Sequence, residues 1–597
     1  SFITITRIPQ MTAIIDAPEN ETRFRRKAKK CLQNTCSTKM LKKRLPIIGW
    51  LPKYKTEYII QDIIAGITVG LTAIPQGIAY AVIAGLSPEY GLYASLTSGV
   101  IYVIFGSCYN VTVGPTAILA AMTAKYVTDY SADFAILAAF LSGVFILLLG
   151  ILNLGFMVEF ISMPVISGFT NAAALQIAAS QLKSFFGLSG SSGNYFAESV
   201  YNFFVNIKSA KLWEPILASS TIVMLILLKK MGEGCKRTDG IFKQMRWFVS
   251  LSRNAVVVIV GMIIAYLFKA INDTEPLILI GDIGNGLPQF RWPPFTTEVG
   301  DETISFVDML RILGVQSLVI PFVAILETVA IAKAFAEGGR IDATQEMIAI
   351  GLCNIVGSFG QSMPITGSFT RTALNHVSGV KTPAGGVTKV ILLIIALTYL
   401  TSTFYFIPKA SLAGLIITAM FSMMDYQIVV NLWRNSIKEI LLLMITTVIC
   451  LFFGLEYGII AGILIEALLL LYNVARPSVE VELTKYEKGD VVLVTLSENI
   501  SYCAAEHVRQ KLLAGTSYAD INVPIIINGV NLKKLDFTAA SNLMAIVKDL
   551  DKTHHILLLN FNVNLKKLCL YIDSRFESKF VYASNPLELT DIFPKDV

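Results

Sequence analysis

Across 597 residues, 15% are charged and 54% hydrophobic, whereas soluble domains carry roughly 25% charged residues. Together with a mean hydropathy of +0.62, this excludes a soluble protein and leaves a polytopic membrane protein. The formal net charge of +6 is concentrated near the N-terminus and one connection, which makes it an indicator of topology.

Residues 1–44 form a basic arm containing Arg23, Arg25, Arg26, Lys27, Lys29, Lys30, Lys39, Lys42, Lys43 and Arg44. Lys and Arg accumulate on the cytosolic side of spanning helices, so the N-terminus is expected in the cytosol. Attraction to anionic lipid headgroups accounts for the same residues, and no nucleic-acid partner is expected. No cleavable signal peptide is read ahead of the arm, so the first span is expected to direct insertion.

A helix needs about 20 mostly apolar residues to cross a bilayer. Candidate spans lie at 62–85, 89–106, 114–128, 133–155, 158–187, 213–231, 253–271, 312–336, 343–360, 368–378, 385–404, 407–424, 438–454 and 456–474, within a transmembrane domain placed at 45–475. The third and tenth are short. They coincide with Asn110-Val-Thr-Val-Gly-Pro-Thr-Ala-Ile-Leu and Met363-Pro-Ile-Thr-Gly-Ser-Phe-Thr-Arg-Thr, where glycine and proline interrupt the apolar pattern. Each is expected to start a helix part-way across the membrane, leaving N–H groups unpaired at a positive dipole end that favours an anion. Thr116 and Thr370 are separated by about half of the apolar part of the chain, and paired broken segments in corresponding halves mark secondary transporters with inverted repeats.

The connection after the sixth span carries Lys229, Lys230, Lys236, Arg237, Lys243, Arg246 and Arg253 and is read as cytosolic. The one after the seventh carries Asp273, Glu275, Asp282, Glu298, Asp301, Glu302 and Asp308, with Arg291 opposing them, and is read as external or lumenal. It begins beside the Asn272-Asp-Thr glycosylation sequon, which lies close to the bilayer; sequons at Asn20 and Asn499 are cytosolic and silent on this topology. The eight cysteines are scattered without metal-ligand spacing, so neither disulfides nor zinc are expected. Cys31 and Cys36 read as free cytosolic thiols or as a juxtamembrane acylation pair.

Beyond Ala475-Arg-Pro, strand and helix patterns alternate: Asp490–Leu496, Ala504–Leu513, Pro524–Asn528, a helix opening at Asp536, His555–Phe561 and Lys566–Ser574. Residues 476–597 therefore read as a cytosolic α/β domain, which places both termini in the cytosol. His376, His507, His554 and His555 form no metal motif, and neither a nucleophile elbow nor a Walker-type phosphate loop is present. The chain reads as a secondary transporter, not an enzyme, with no cofactor.

The stretch Gly66-Ile-Thr-Val-Gly-Leu-Thr-Ala-Ile-Pro-Gln-Gly-Ile-Ala-Tyr-Ala-Val-Ile-Ala-Gly-Leu-Ser-Pro-Glu-Tyr-Gly-Leu-Tyr-Ala-Ser closely resembles the signature of the sulfate permease, or solute carrier 26, family of anion transporters. Gly114-Pro-Thr-Ala, Glu327-Thr-Val-Ala-Ile-Ala-Lys and Gly367-Ser-Phe-Thr-Arg-Thr-Ala-Leu-Asn agree with it in order and spacing. The resemblance runs from about residue 44 onward; among animal members it is nearest the sodium-independent sulfate anion transporter subgroup, and the terminal domain looks like a STAS module. It implies 14 transmembrane segments in 7+7 inverted repeats, a fold related to that of uracil carriers. A mobile core domain would hold spans one to four and eight to eleven, against a gate domain, in a homodimer formed through the STAS and transmembrane regions.

The resemblance also implies an anion site lined by Gln76, Tyr80, Pro115, Thr116, Phe369, Thr370 and Arg371. Bland readings stand beside these: Pro75 kinks the first span, Gln76 bonds between helices, Tyr80 packs, Thr116 and Thr370 cap helices, and Arg371 pairs within the core. Glu327 is either a proton-coupling group, since protonation would relieve its repulsion of an anion, or a permanent partner of Arg371 or Lys333. Asp536-Phe-Thr538 matches the position of the phosphorylation motif of bacterial anti-sigma antagonists, with helix capping as the alternative. The expected activity is sulfate transport in exchange for chloride, bicarbonate or oxalate, or with a proton, by an elevator-like motion in the plasma or lysosomal membrane. Besides these inorganic anions, membrane lipids are the expected contacts. The alternative is an uncoupled chloride channel or a voltage-responsive anion-binding motor.

Overall fold

The computed structural model describes residues 42–583 except 191–192, 194, 234–240, 273–275, 285, 301, 337–340, 487–488 and 517–522. The basic arm before Lys42, with Cys31 and Cys36, lies outside the described residues, as do Asn20, Cys235, Lys236, Arg237, Asp273, Thr274, Glu275 and Asp301. The chain divides into two compact units, 1–462 and 463–597.

In the first unit the apolar stretches become helices α1 (Thr56–Ile83), α2 (Pro88–Phe105), α3 (Ala117–Asp129), α4 (Asp133–Ile151), α5 (Met163–Ser180), α6 (Trp213–Gly232) and α7 (Arg253–Asn272). A second series follows: α8 (Gln316–Ala334), α9 (Ala343–Phe359), α10 (Phe369–Val377), α11 (Gly385–Ile395), α12 (Lys409–Met423), α13 (Ile437–Phe453) and α14 (Leu455–Ala475), the last running into the second unit. Helix α11 continues through a π turn at Ala396–Leu400 to Phe404. Among the described residues, eight helical stretches are long and apolar enough to cross a membrane. Helices α3 and α10, with 13 and 9 residues, are half-length: a helix of 9 residues rises only about 14 Å.

Helices pack into two bundles. Helices α1 to α4 and α8 to α11 contact mainly one another, and so do α5, α6, α7, α12 and α13. Glycines set the closest approaches: a Cβ at Gly143 of α4 would fall 2.6 Å from the Ile355 nitrogen and 2.8 Å from the Gly351 carbonyl oxygen of α9. Small residues that let helix backbones touch are the usual means of association in lipid.

Two features of this unit depart from the sequence reading. The span expected at 158–187 is divided into a 3-10 stretch at Leu154–Phe160, α5, and a short helix at Leu182–Phe186. The acidic connection after α7 holds an antiparallel hairpin, Thr296–Val299 with Glu302–Ser305, and a helix, Phe306–Leu313.

The second unit carries a five-stranded sheet of β3 (Glu480–Tyr486), β4 (Gly489–Thr495), β5 (Ile525–Asn528), β6 (Ile556–Leu559) and β7 (Phe580–Val581), numbered after β1 (Val113–Gly114) and β2 (Thr366–Gly367) of the first unit. Its spatial order is β7-β6-β5-β4-β3; β3 and β4 are antiparallel and the other pairs parallel. Strand alternation sends Val492, Val494, Ile525, Ile527, Ile556 and Leu558 into a core shared with helices α15 (Ala505–Thr516), α16 (Phe537–Leu550) and α17 (Val563–Ile572). The opposite face collects Val491, Ile526 and Leu559, the period-two division of strand side chains between two faces.

Candidate functional site

The two interrupted segments meet. Strand β1 (Val113–Gly114) pairs antiparallel with β2 (Thr366–Gly367), with Val113 opposite Gly367 and Gly114 opposite Thr366. The Ser368 N–H donates to the Thr112 carbonyl at 2.9 Å. Non-helical backbone at membrane depth must find partners within the protein, and polar side chains of nearby helices supply them. Asn354 of α9 donates to the Ile365 carbonyl (3.0 Å) and accepts from the Ile365 N–H (2.9 Å). Thr328 of α8 accepts from the Gly367 N–H at 2.9 Å. Thr372 and Asn375 of α10 accept from the Thr112 N–H and donate to the Asn110 carbonyl, at 3.1 and 2.9 Å.

Helices α3 and α10 thus begin on either side of this two-stranded bridge. Their N-cap residues, Thr116 and Ser368, make no side-chain capping bond, so the first-turn N–H groups lack the partner that usually covers one of them. A cavity of about 520 Å³ reaches both termini, lined there by Thr116, Ala117 and Ile118 of one and Ser368, Phe369 and Thr370 of the other. Tyr80 of α1 and Glu327 of α8 complete this end; Met163, Phe169 and Asn171 of α5 and Met420 of α12 form the facing wall. Among the described lining residues the charged ones are Glu327 and Asp425, both acidic. Asp425 caps the helix Tyr426–Asn435, accepting from the Ile428 N–H at 3.1 Å.

Of the residues expected at the site, Tyr80, Thr116, Phe369, Thr370 and Glu327 line the cavity; Gln76, Pro115 and Arg371 do not. Gln76 is 1% exposed, one helical turn from Tyr80. The Pro115 carbonyl turns away from the cavity to accept from Arg371 Nη2 at 2.6 Å. Arg371 is fully buried, and its Nε and Nη1 have no hydrogen-bond partner among the described residues. Successive helical residues are rotated by about 100°; with Phe369 and Thr370 on the cavity, the next step carries Arg371 to the buried side of α10. Glu327 Oε2 accepts from the Thr116 hydroxyl at 3.4 Å, and no ion pair joins it to Arg371 or Lys333 among the described residues.

Sequence reasoning missed two buried charges near the crossing segments. Lys389 of α11 donates to the Val113 carbonyl at 2.9 Å. Glu346 of α9 accepts from the Tyr102 hydroxyl (2.8 Å) and the Ser107 and Cys108 N–H groups (3.0 and 3.1 Å), fixing the turn between α2 and β1. Both lie within apolar spans, and an ionisable residue there is itself a signal.

Residues 59–446 match the family model described as the sulfate permease family. The chain belongs to the sulfate permease family. It is similar to the sodium-independent sulfate anion transporter of Bos taurus, 37% identical over 529 residues that make up 86% of each chain. It is also similar to the probable sulfate transporter 4.2 of Arabidopsis thaliana, 35% identical over 446 residues, or 73% of this chain and 62% of that one. The fold resembles the murine solute carrier 26 family member A9 anion transporter in its inward-facing state, with a TM-score of 0.80 at 21% identity, covering 98% of this chain and 99% of that one. A sulfate permease family member is an integral membrane anion transporter and not an enzyme. The strand-containing C-terminal unit is compatible with the STAS module of that family.

Proposed function

We propose that this chain is a secondary carrier of sulfate that binds the anion between the N-termini of α3 and α10. The observation that carries the reading is the pair of uncapped helix N-termini at one end of the cavity, where the described lining offers no cationic side chain. Attraction then comes from backbone N–H groups, helix dipoles and Arg371 acting from behind the Pro115 carbonyl. Without a bidentate clamp the anion is held by many modest interactions, which suits release on the far side. Names of the bovine and plant relatives support sulfate as the substrate.

Exchange for chloride, bicarbonate or oxalate, or proton coupling through Glu327, belongs to the same proposal. The two helix bundles support an elevator-like motion, because the anion-binding termini and the Asn354, Thr328 and Asn375 side chains that hold their crossing segments sit on one bundle. Homodimer formation and a plasma or lysosomal membrane with cytosolic termini complete the reading. Lys229, Lys230 and Arg246 near the end of α6, against the acidic connection after α7, support that orientation.

Radiolabelled sulfate uptake into proteoliposomes under imposed chloride and proton gradients tests it. Uptake should be saturable and electrically silent with a counter-anion, and Thr370→Ala and Arg371→Ala should weaken it about tenfold or more, the loss from removing a charge-assisted interaction. No uptake by folded protein under any gradient sinks the proposal; a large sulfate-independent chloride current indicates a channel, and charge movement without flux a motor.

A further inference from the structure

Lys389 is 3% exposed and reaches the crossing segment two residues before the carbonyl held by Arg371, at Val113 and Pro115 respectively. Two cations therefore abut the backbone that leads into α3. Glycines make their space: a Cβ at Gly99 would fall 3.3 Å from Lys389 Cε, and one at Gly114 would fall 3.1 Å from Arg371 Nη2.

Neither cation has a carboxylate partner among the described residues. The buried carboxylates of the same bundle are occupied elsewhere. Asp62 of α1 accepts from the Lys381 and Thr382 N–H groups and the Thr382 hydroxyl, and Glu346 from Tyr102, Ser107 and Cys108. A buried cation without a counter-ion is costly to keep, and one charge at the half-helix junction would suffice for a monovalent anion.

We propose that Lys389 is a specificity-determining positioning residue which, together with Arg371, makes the half-helix site select a divalent oxyanion over a monovalent one. The inference rests on the proposed binding site and deepens it. Lys389 does not touch the anion; it acts through the Val113 peptide and through space. Coulomb energy is linear in the charge of the ligand, so a fold-loss suffered by a monovalent anion is squared for a divalent one. A loss of about threefold for a monoanion corresponds to about tenfold for a dianion. Loss of packing alone weakens both alike. Glu327 and Asp425 obey the same rule, so the comparison belongs at one fixed pH.

The test uses full-length protein in proteoliposomes and reads two quantities, the half-saturating concentration of labelled sulfate and the half-inhibiting concentration of nitrate against it. Lys389→Gln keeps a donor for the Val113 carbonyl and removes the charge; Lys389→Met is the second neutral variant should the first fold poorly. Half-saturating sulfate should rise about tenfold and half-inhibiting nitrate about threefold, while Lys389→Arg keeps the wild-type ratio. Equal shifts for both anions, or an unchanged ratio, overturn the role of Lys389 and leave the binding site standing. Wild-type protein that takes up no sulfate overturns the site and this inference with it.

Discussion

Thr370 and Arg371 are adjacent in sequence, yet one lines the cavity and the other is sealed behind it with Nη2 on the Pro115 carbonyl. Motif reading groups such neighbours because it has no rotation angle; helix geometry separates them by about 100°. Gln76 and Tyr80 share a face by their four-residue spacing, but a turn of axial offset leaves only Tyr80 at the cavity. Glu327 was legible as an anomaly in an apolar span, whereas its hydrogen bond from Thr116 joins residues 211 positions apart and leaves no local trace. The contact sets a clear expectation for Glu327→Gln. A glutamine of the same shape still accepts from Thr116 but cannot ionise, so in the proposed mechanism uptake should lose its response to a proton gradient while sulfate–anion exchange continues. The variant should unfold within about 1 kcal/mol of wild type, since no ion pair is broken. Uptake that still follows the proton gradient in folded Glu327→Gln would remove this carboxylate from the coupling step.

The helices were the most legible elements, because an apolar run of spanning length has few alternatives. What the pattern omitted was polar by design. The hairpin at Thr296–Ser305 lies in an acidic connection, and edge strand β3 alternates Glu480 and Glu482 with Val481 and Leu483. Sheet edges tolerate that composition, and it hides the strand from a search for hydrophobic runs. The contact between α4 and α9 was equally hidden, since glycine in a span signals nothing until its partner is known. At this contact a side chain would collide with backbone, which cannot swing aside as a flexible side-chain tip can. Gly143→Val should therefore force the helices apart and cost several kcal/mol, beyond the range of about 1–3 kcal/mol typical of overpacking that side chains can absorb. Gly49→Ala, where nothing lies within 4 Å, is the matched control. Thermal unfolding in detergent should show a large drop for the first and none for the second; a Gly143→Val protein as stable as wild type would mean that α4 and α9 do not pack this closely.

At the scale of the whole chain, the two units obey different solvents. The first buries polar side chains around non-helical backbone and exposes large apolar ones such as Leu148, Ile263 and Phe452, the inversion expected of a surface facing hydrocarbon. The second has a self-contained core of sheet and helix residues, with Phe561 1% exposed and packed edge-to-face on Phe580 at 5.6 Å. Gly529 abuts the same ring; a Cβ there would fall 2.8 Å from it. A segment of about 120 residues is large enough to bury a stable core by itself, and this one needs no lipid to cover its buried residues. Residues 476–597 expressed alone should therefore fold without detergent and unfold cooperatively in urea. Phe561→Ala removes an aromatic ring from a site that cannot collapse, since β5, β6 and α17 are held by the remaining core, and such changes cost about 3–5 kcal/mol. Against a total stability of roughly 5–15 kcal/mol, the variant should lose a large share of its urea midpoint. A fragment that unfolds without a transition would show that its core depends on the membrane unit, and a Phe561→Ala midpoint close to wild type would show that the ring is not the keystone of the packing between β6 and β7.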